Sequence, residues 1–179
     1  MVNSRAIVLI GMPVSGKSTL GLLVARELGF AFVDLDRRVE ACEGMSIPEI
    51  FARHGVEAFR RSEERELAAV IALPRVVVAT GGGVVEIPGI SELLQGHRII
   101  HLHCEREEAL QRLLAGPRPL QSGHGEQHAQ DLRDAQVAQY DALSRRRSAL
   151  YHELGGTPVI TSGTTVEAAL EACLTLLRK

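Results

Sequence analysis

Apolar positions along this chain come in short unbroken runs separated by longer amphipathic stretches. Ala6-Ile-Val-Leu-Ile10 is an aliphatic run ended by Gly11, the pattern of a strand covered on both faces of a parallel sheet. From Ser18 to Leu28 the spacing of Leu20, Leu23, Val24 and Leu28 predicts a helix, with Gly29 placed to stop it. Ala31 to Val33 predicts a second strand leading into Asp34-Leu-Asp36, after which Val39 and Ala41 lie in a polar helical stretch. Ser46-Ile-Pro-Glu49 reads as a capping box with proline in the first turn, so a helix is expected from Ser46, carrying Ile50 and Phe51 inward. Glu57 to Leu73 predicts another helix, closed by Pro74 before the strand Arg75 to Ala79. Further strands are expected at Arg98 to Leu102 and Pro158 to Ile160. The remaining helices are expected at Ser91 to Leu94, Glu107 to Leu114, Asp134 to His152 and, behind a Thr164 to Glu167 capping box, Val166 to Leu177. This alternation predicts an α/β fold, a three-layer α/β/α sandwich whose functional loops lie at the carboxyl ends of the strands.

One interval breaks the pattern. Residues 115 to 133 are rich in glycine, proline and polar residues, the composition of a moving lid or a disordered insertion. With no linker or repeat elsewhere, residues 1–179 read as a single domain. Composition narrows the function. The chain has 179 residues, 45% hydrophobic and 23% charged, which argues against disorder. A net charge of −2 and 3% aromatic residues with no Trp argue against a nucleic-acid partner. Cys42, Cys104 and Cys173 are an odd number, far apart, and read as reduced, mostly buried thiols. Neither a signal segment nor a membrane span is legible, so a cytoplasmic protein is expected, with no membrane partner.

The chemistry is concentrated at strand ends. Gly11-Met12-Pro13-Val14-Ser15-Gly16-Lys17-Ser18 fits a phosphate-binding loop, placed after a buried strand and before a helix, where backbone N–H groups can surround a polyphosphate. Lys17 would reach the β and γ phosphates and Ser18 a magnesium ion. Asp34 and Asp36, two apart at the end of the second strand, would point to one side of an extended backbone. An Asp-x-Asp there also serves as a helix cap, but beside a phosphate loop it fits metal and hydroxyl contacts. Thr80-Gly81-Gly82-Gly83 either lets a ligand approach the main chain or is a flexible turn.

Taken together, Gly11 to Thr19, Phe32-Val-Asp34-Leu-Asp36 with Glu40, Gly55-Val-Glu-Ala-Phe59-Arg60, Thr80 to Gly83, Arg118-Pro-Leu and Arg147-Ser-Ala-Leu-Tyr151 resemble shikimate kinases from about Ile7 to Leu177. The resemblance implies a P-loop NTPase-like, five-stranded parallel sheet of order 2-3-1-4-5 with a mobile lid. It implies ATP as co-substrate, Mg2+ as cofactor, shikimate as substrate and action as a monomer. Asp36 would be the base on the phosphorylated hydroxyl, and Asp34 with Ser18 would contact magnesium. Arg60, Arg147 and the backbone of Gly81, Gly82 and Gly83 would hold shikimate. Arg118 would close with the lid on the phosphates, and Arg112 lies near the arginine that stacks on adenine. Gly11 to Thr19 would cradle the nucleotide. Arg145 and Arg146 read as solvated.

Some residues depart from the family. Val14 stands where relatives usually carry glycine, the span from Arg118 to Arg147 is longer, and Thr161-Ser-Gly-Thr164 lacks basic and proline residues around the adenine. His101 with His103 and His124 with His128 lack dependable zinc partners. A gluconate-kinase-like enzyme and a non-catalytic ligand sensor are the alternative functions; the presence of Asp36, Arg60 and Arg147 favours the shikimate reading.

Overall fold

The computed structural model describes residues 5–115, 126–155 and 157–178. Its strands are β1 (Ile7–Ile10), β2 (Ala31–Asp34), β3 (Val76–Ala79), β4 (Arg98–His103) and β5 (Val159–Ile160). They pair in parallel in the order β2-β3-β1-β4-β5, as the resemblance implied. The helices are α1 (Lys17–Leu28), α2 (Leu35–Glu43), α3 (Ile47–Ile71), α4 (Ile90–Leu93), α5 (Arg106–Ala115), α6 (Glu126–Gly155) and α7 (Val166–Arg178). A 3-10 turn occupies Val84–Glu86.

Alternation along β1 explains the layers. Val8 and Ile10 join a core with Leu67, Val70 and Ile71 of α3, Ala109 of α5 and Tyr140 and Tyr151 of α6. Ile7 and Leu9 face the other way, packing with Leu20, Val24 and Ala25 of α1 and Ala169 and Cys173 of α7. Successive strand side chains point to opposite faces, so an unbroken aliphatic run supplies two cores at once. A smaller cluster, Val39, Ile50 and Phe59, joins α2 to α3 away from the sheet.

The two helices read from Ser46 and from Glu57 together make up α3, parted by a kink at Gly55, whose φ 79 and ψ 174 are not helical. Other expectations are corrected. Phe51 is not inward: it is 39% exposed and lies edge-on against Phe59 at 4.9 Å, covering the small cluster from outside. The thiols are mostly buried, as expected: Cys104 and Cys173 are buried, and Cys42 is exposed on α2. The helix expected from Asp134 begins at Glu126, taking in the later part of the stretch read as a lid. Thr165, not Thr164, caps α7, its Oγ1 accepting from the Ala168 N–H at 3.2 Å. Arg118, Gly123, His124 and Gly125 lie outside the described residues, as does the His128 side chain.

Candidate functional site

The loop between β1 and α1 owes its path to left-handed backbone. Gly16 has φ 94, and a Cβ on Gly11 would overlap the Leu102 carbonyl. Val14 also lies at φ 60, where a β-branched residue is strained by about 1–3 kcal/mol. Two contacts hold it there: its side chain packs on the core beneath, and its carbonyl accepts from Arg112 Nη1 at 3.2 Å. Met12 is buried in the same core, so Gly11 and Met12 serve the loop through their carbonyls. These accept from Lys17 Nζ at 2.9 and 2.8 Å. Burial lowers the Lys17 pKa to about 8, against the opposing pull of Asp36 and Asp34. The Ser15 hydroxyl is buried beneath the loop without a hydrogen-bond partner.

A cleft of about 640 Å³ opens over this loop, lined among others by Pro13, Val14, Gly16, Lys17, Ser18, Thr19, Asp34, Asp36, Gly82 and Arg112. Ser18 Oγ donates to Asp34 Oδ2 at 2.6 Å. Asp34 does not continue an extended segment toward Asp36, because α2 starts at Leu35 and Asp34 caps it, accepting from the Arg37 N–H at 3.3 Å. Asp36 therefore stands in the first helical turn. The Asp34 carboxylate is cap and cleft ligand together. Burial, reinforced by Asp34, raises the Asp36 pKa, while Lys17 and Arg60 oppose the shift. Ser18 Oγ with the Asp34 carboxylate is a hard-oxygen pair of the kind that suits Mg2+.

The triple glycine is a wall that other side chains touch. A Cβ on Gly81 would come within 2.6 Å of both Asp36 Oδ1 and Glu63 Oε1. On Gly82 it would meet Pro13 Cδ at 2.9 Å, and on Gly83 it would enter the Arg60 guanidinium. The glycines thus bring the phosphate loop, Asp36 and Arg60 to one turn. Tyr151 donates to the Gly82 carbonyl from the far side. Arg60 Nη1 donates to Glu63 Oε2 at 2.5 Å, and Glu63 is fully buried. Burial raises the Glu63 pKa, with Arg60 opposing.

Arg60 and Arg147 converge as expected, but what they share is Glu86. Its Oε2 accepts from Arg147 Nη2 at 2.7 Å and lies 3.4 Å from Arg60 Nη2. Arg146, expected to be solvated, is the third partner through its Nε and Glu86 Oε1. Burial resists the Glu86 charge, yet the hydrogen bonds and charges of Arg147 and Arg146 outweigh it and lower the pKa.

On the opposite wall Arg112 donates to the Thr161 carbonyl at 2.7 Å and to Glu108 Oε1 at 2.5 Å. Glu108 in turn accepts from the Gly163 N–H at 2.8 Å. The segment after β5, which lacks the expected basic and proline residues, contributes Thr161, Thr164, Thr165 and Val166 to the cleft. Among the described residues no group of three or more His, Cys, Asp or Glu could hold a metal ion, and His101 stacks on Tyr151 with ring centroids 5.3 Å apart. No described helix is long and apolar enough to cross a membrane.

Sequence reasoning missed Glu63, Glu86 and the role of Tyr151. Glu63 follows Arg60 by three residues and Tyr151 follows Arg147 by four, the helical spacings that place side chains on one face. No comparable local signal marks Glu86.

The family model for shikimate kinase matches residues 13–178. A shikimate kinase of Mycobacterium marinum is 42% identical over 118 residues, 62% of this chain and 64% of that protein. One from Synechococcus sp. strain CC9605 is 38% identical over 178 residues, covering 98% of this chain and 84% of that protein. Among solved structures, shikimate kinase from Acinetobacter baumannii in complex with shikimate superposes with a TM-score of 0.78 at 31% identity, covering 97% of this chain and 93% of that one.

Proposed function

The chain belongs to the shikimate kinase family of ATP-dependent kinases, and on that premise we propose that it moves the γ-phosphoryl of ATP to the 3-hydroxyl of shikimate. The products would be ADP and shikimate 3-phosphate, on the route to chorismate and the aromatic amino acids. The observation that carries this reading is the position of Asp36. It shares the cleft with Lys17 on one side and reaches Gly81, Glu63 and the field of Arg60 on the other.

In this reading the loop Gly11 to Thr19 and the amino end of α1 bind the polyphosphate, and Lys17 exchanges its carbonyl partners for phosphate oxygens. Ser18 and Asp34 would hold the magnesium ion, whose charge neutralises phosphate oxygens when it is bound. Arg60 and Arg147 grip the shikimate carboxylate, and the glycine turn lets the ring approach the backbone. Asp36 orients the 3-hydroxyl and takes its proton, a role that its raised pKa favours. Arg112 and Val166 border the space for adenine. Arg118 would close on the phosphates, excluding water and limiting ATP hydrolysis.

An assay coupling ADP release to added shikimate tests the reading. Turnover that requires shikimate, ATP and magnesium is expected. Folded protein that binds ATP but shows no shikimate-dependent turnover rejects it.

A further inference from the structure

The two arginines assigned to the substrate carboxylate already hold a carboxylate. Glu86 is the last residue of the turn that leaves Gly81–Gly83, so an acid lying on those glycines meets it directly. Its Oε2 bridges Arg147 of α6 and Arg60 of α3. Its Oε1 is held by Arg146.

We propose that Glu86 is a specificity-determining residue that occupies the carboxylate clamp of the free protein and competes with the acidic substrate for Arg60 and Arg147. The inference rests on the shikimate reading of the site.

Charge balance argues for competition. Arg60 is paired with Glu63 and Glu86, and Arg147 and Arg146 with Glu86, so each guanidinium of the cluster already faces a carboxylate. Of the acids, Glu63 is completely buried against Arg60 and the glycine wall, and Asp36 faces the phosphate side. Glu86 can yield. Its side chain keeps 19% exposure, and its bond to Arg60 is stretched to 3.4 Å. Arg146, 62% exposed, gives it somewhere to go: Oε1 can stay with Arg146 while Oε2 releases the clamp. The carboxylate then moves outward without becoming a buried unpaired charge, the arrangement that would make release prohibitive.

The competition has a chemical signature, because it concerns the charge of the ligand and not its ring or hydroxyls. Shikimate and its uncharged methyl ester would be titrated calorimetrically into wild-type, E86Q and R146Q proteins. E86Q is expected to bind shikimate about 3- to 10-fold more tightly, the scale of a partly screened charge pair, with ester and ATP affinities unchanged. R146Q is expected to weaken shikimate binding by about 3-fold, because Glu86 then has only the clamp to hold. Shikimate affinity that is unchanged or weaker in E86Q overturns the proposal, since Glu86 would then be propping the arginines or irrelevant to them. An equal gain for the ester overturns it as well. Should E86Q not fold, R146Q decides, and unchanged shikimate affinity there counts against the proposal. If wild-type protein and E86Q both ignore shikimate, the functional reading fails separately. Thermal-shift titration with benzoate then tests the clamp alone: E86Q responding at lower benzoate concentration than wild type supports the proposal, and an identical response overturns it.

Discussion

Tyr151 donates its buried hydroxyl to the Gly82 carbonyl, fixing the glycine turn to the helix that carries Arg147 one turn earlier. Burial pushes the phenol pKa well above its ordinary value, so it remains a donor throughout the working pH range. Tyr151→Phe removes the donor while keeping the ring stacked on His101. The orphaned carbonyl should lower stability by about 1–3 kcal/mol. The loosened turn should raise KM for shikimate several-fold more than KM for ATP. Thermal unfolding and steady-state kinetics check both, and equal changes in the two KM values would contradict the coupling.

Lys17 gives nucleotide binding a proton signature. With its pKa lowered to about 8 in the free protein, the side chain loses its proton as pH rises through that value. Phosphate oxygens favour the charged form and raise the pKa again in the complex. Binding at pH 8 should therefore take up about half a proton, and little at pH 6.5 where Lys17 is already charged. Calorimetry in buffers of different ionisation enthalpy measures this uptake. Lys17→Arg, charged at all these pH values, should abolish it.

The glycine wall separates two kinetic effects. Gly81→Ala would press a methyl group against Asp36 Oδ1 and Glu63 Oε1, each 2.6 Å from the built Cβ, and so should chiefly lower kcat by displacing Asp36, the proposed base. Gly83→Ala would instead intrude on the Arg60 guanidinium and should chiefly raise KM for shikimate. A misplacement of this size at a reacting group costs on the order of 10²-fold in rate. Kinetics of the pair, with ATP affinity as the control, tests the assignment; identical kcat and KM patterns would remove it.

The legible parts of this protein are those whose signal is contiguous in sequence. The aliphatic runs of β1 and β3 and the phosphate loop each fit within ten residues, so periodicity and spacing disclose them. Asp34 was legible as an acid of the cleft, but its direction was not, because the turn into α2 begins one residue later and converts the extended spacing into a cap. Phe51 reads as inward together with Ile50, yet neighbouring residues of a helix point about 100° apart, and with Ile50 turned into the small cluster the Phe51 ring is left on the rim. Glu86 was not legible. Its partner Arg147 lies 61 residues away, and only the crossover that lays α6 over the glycine turn brings them together.

Asp36 makes the sharpest prediction for chemistry. Burial, then the neighbouring Asp34 charge, holds its pKa above the ordinary 3.8, so the carboxyl is a better proton acceptor than a solvated aspartate. The sign of the pH dependence follows from the required state: the base must be deprotonated, so activity is full above the raised pKa and falls as pH drops through it. The acidic limb of kcat/KM should therefore lie above pH 3.8, and raising the salt concentration should shift it little, since the effect is one of burial. Asp36→Asn cannot accept the proton, and kcat should drop by about 10²- to 10⁴-fold with ATP affinity retained. The residual activity should lack that acidic limb. A pH–rate profile of wild type and variant, over the range in which both remain folded by circular dichroism, decides the matter; a variant that keeps the limb would assign it to another group, with buried Glu63 across Gly81 the next to mutate.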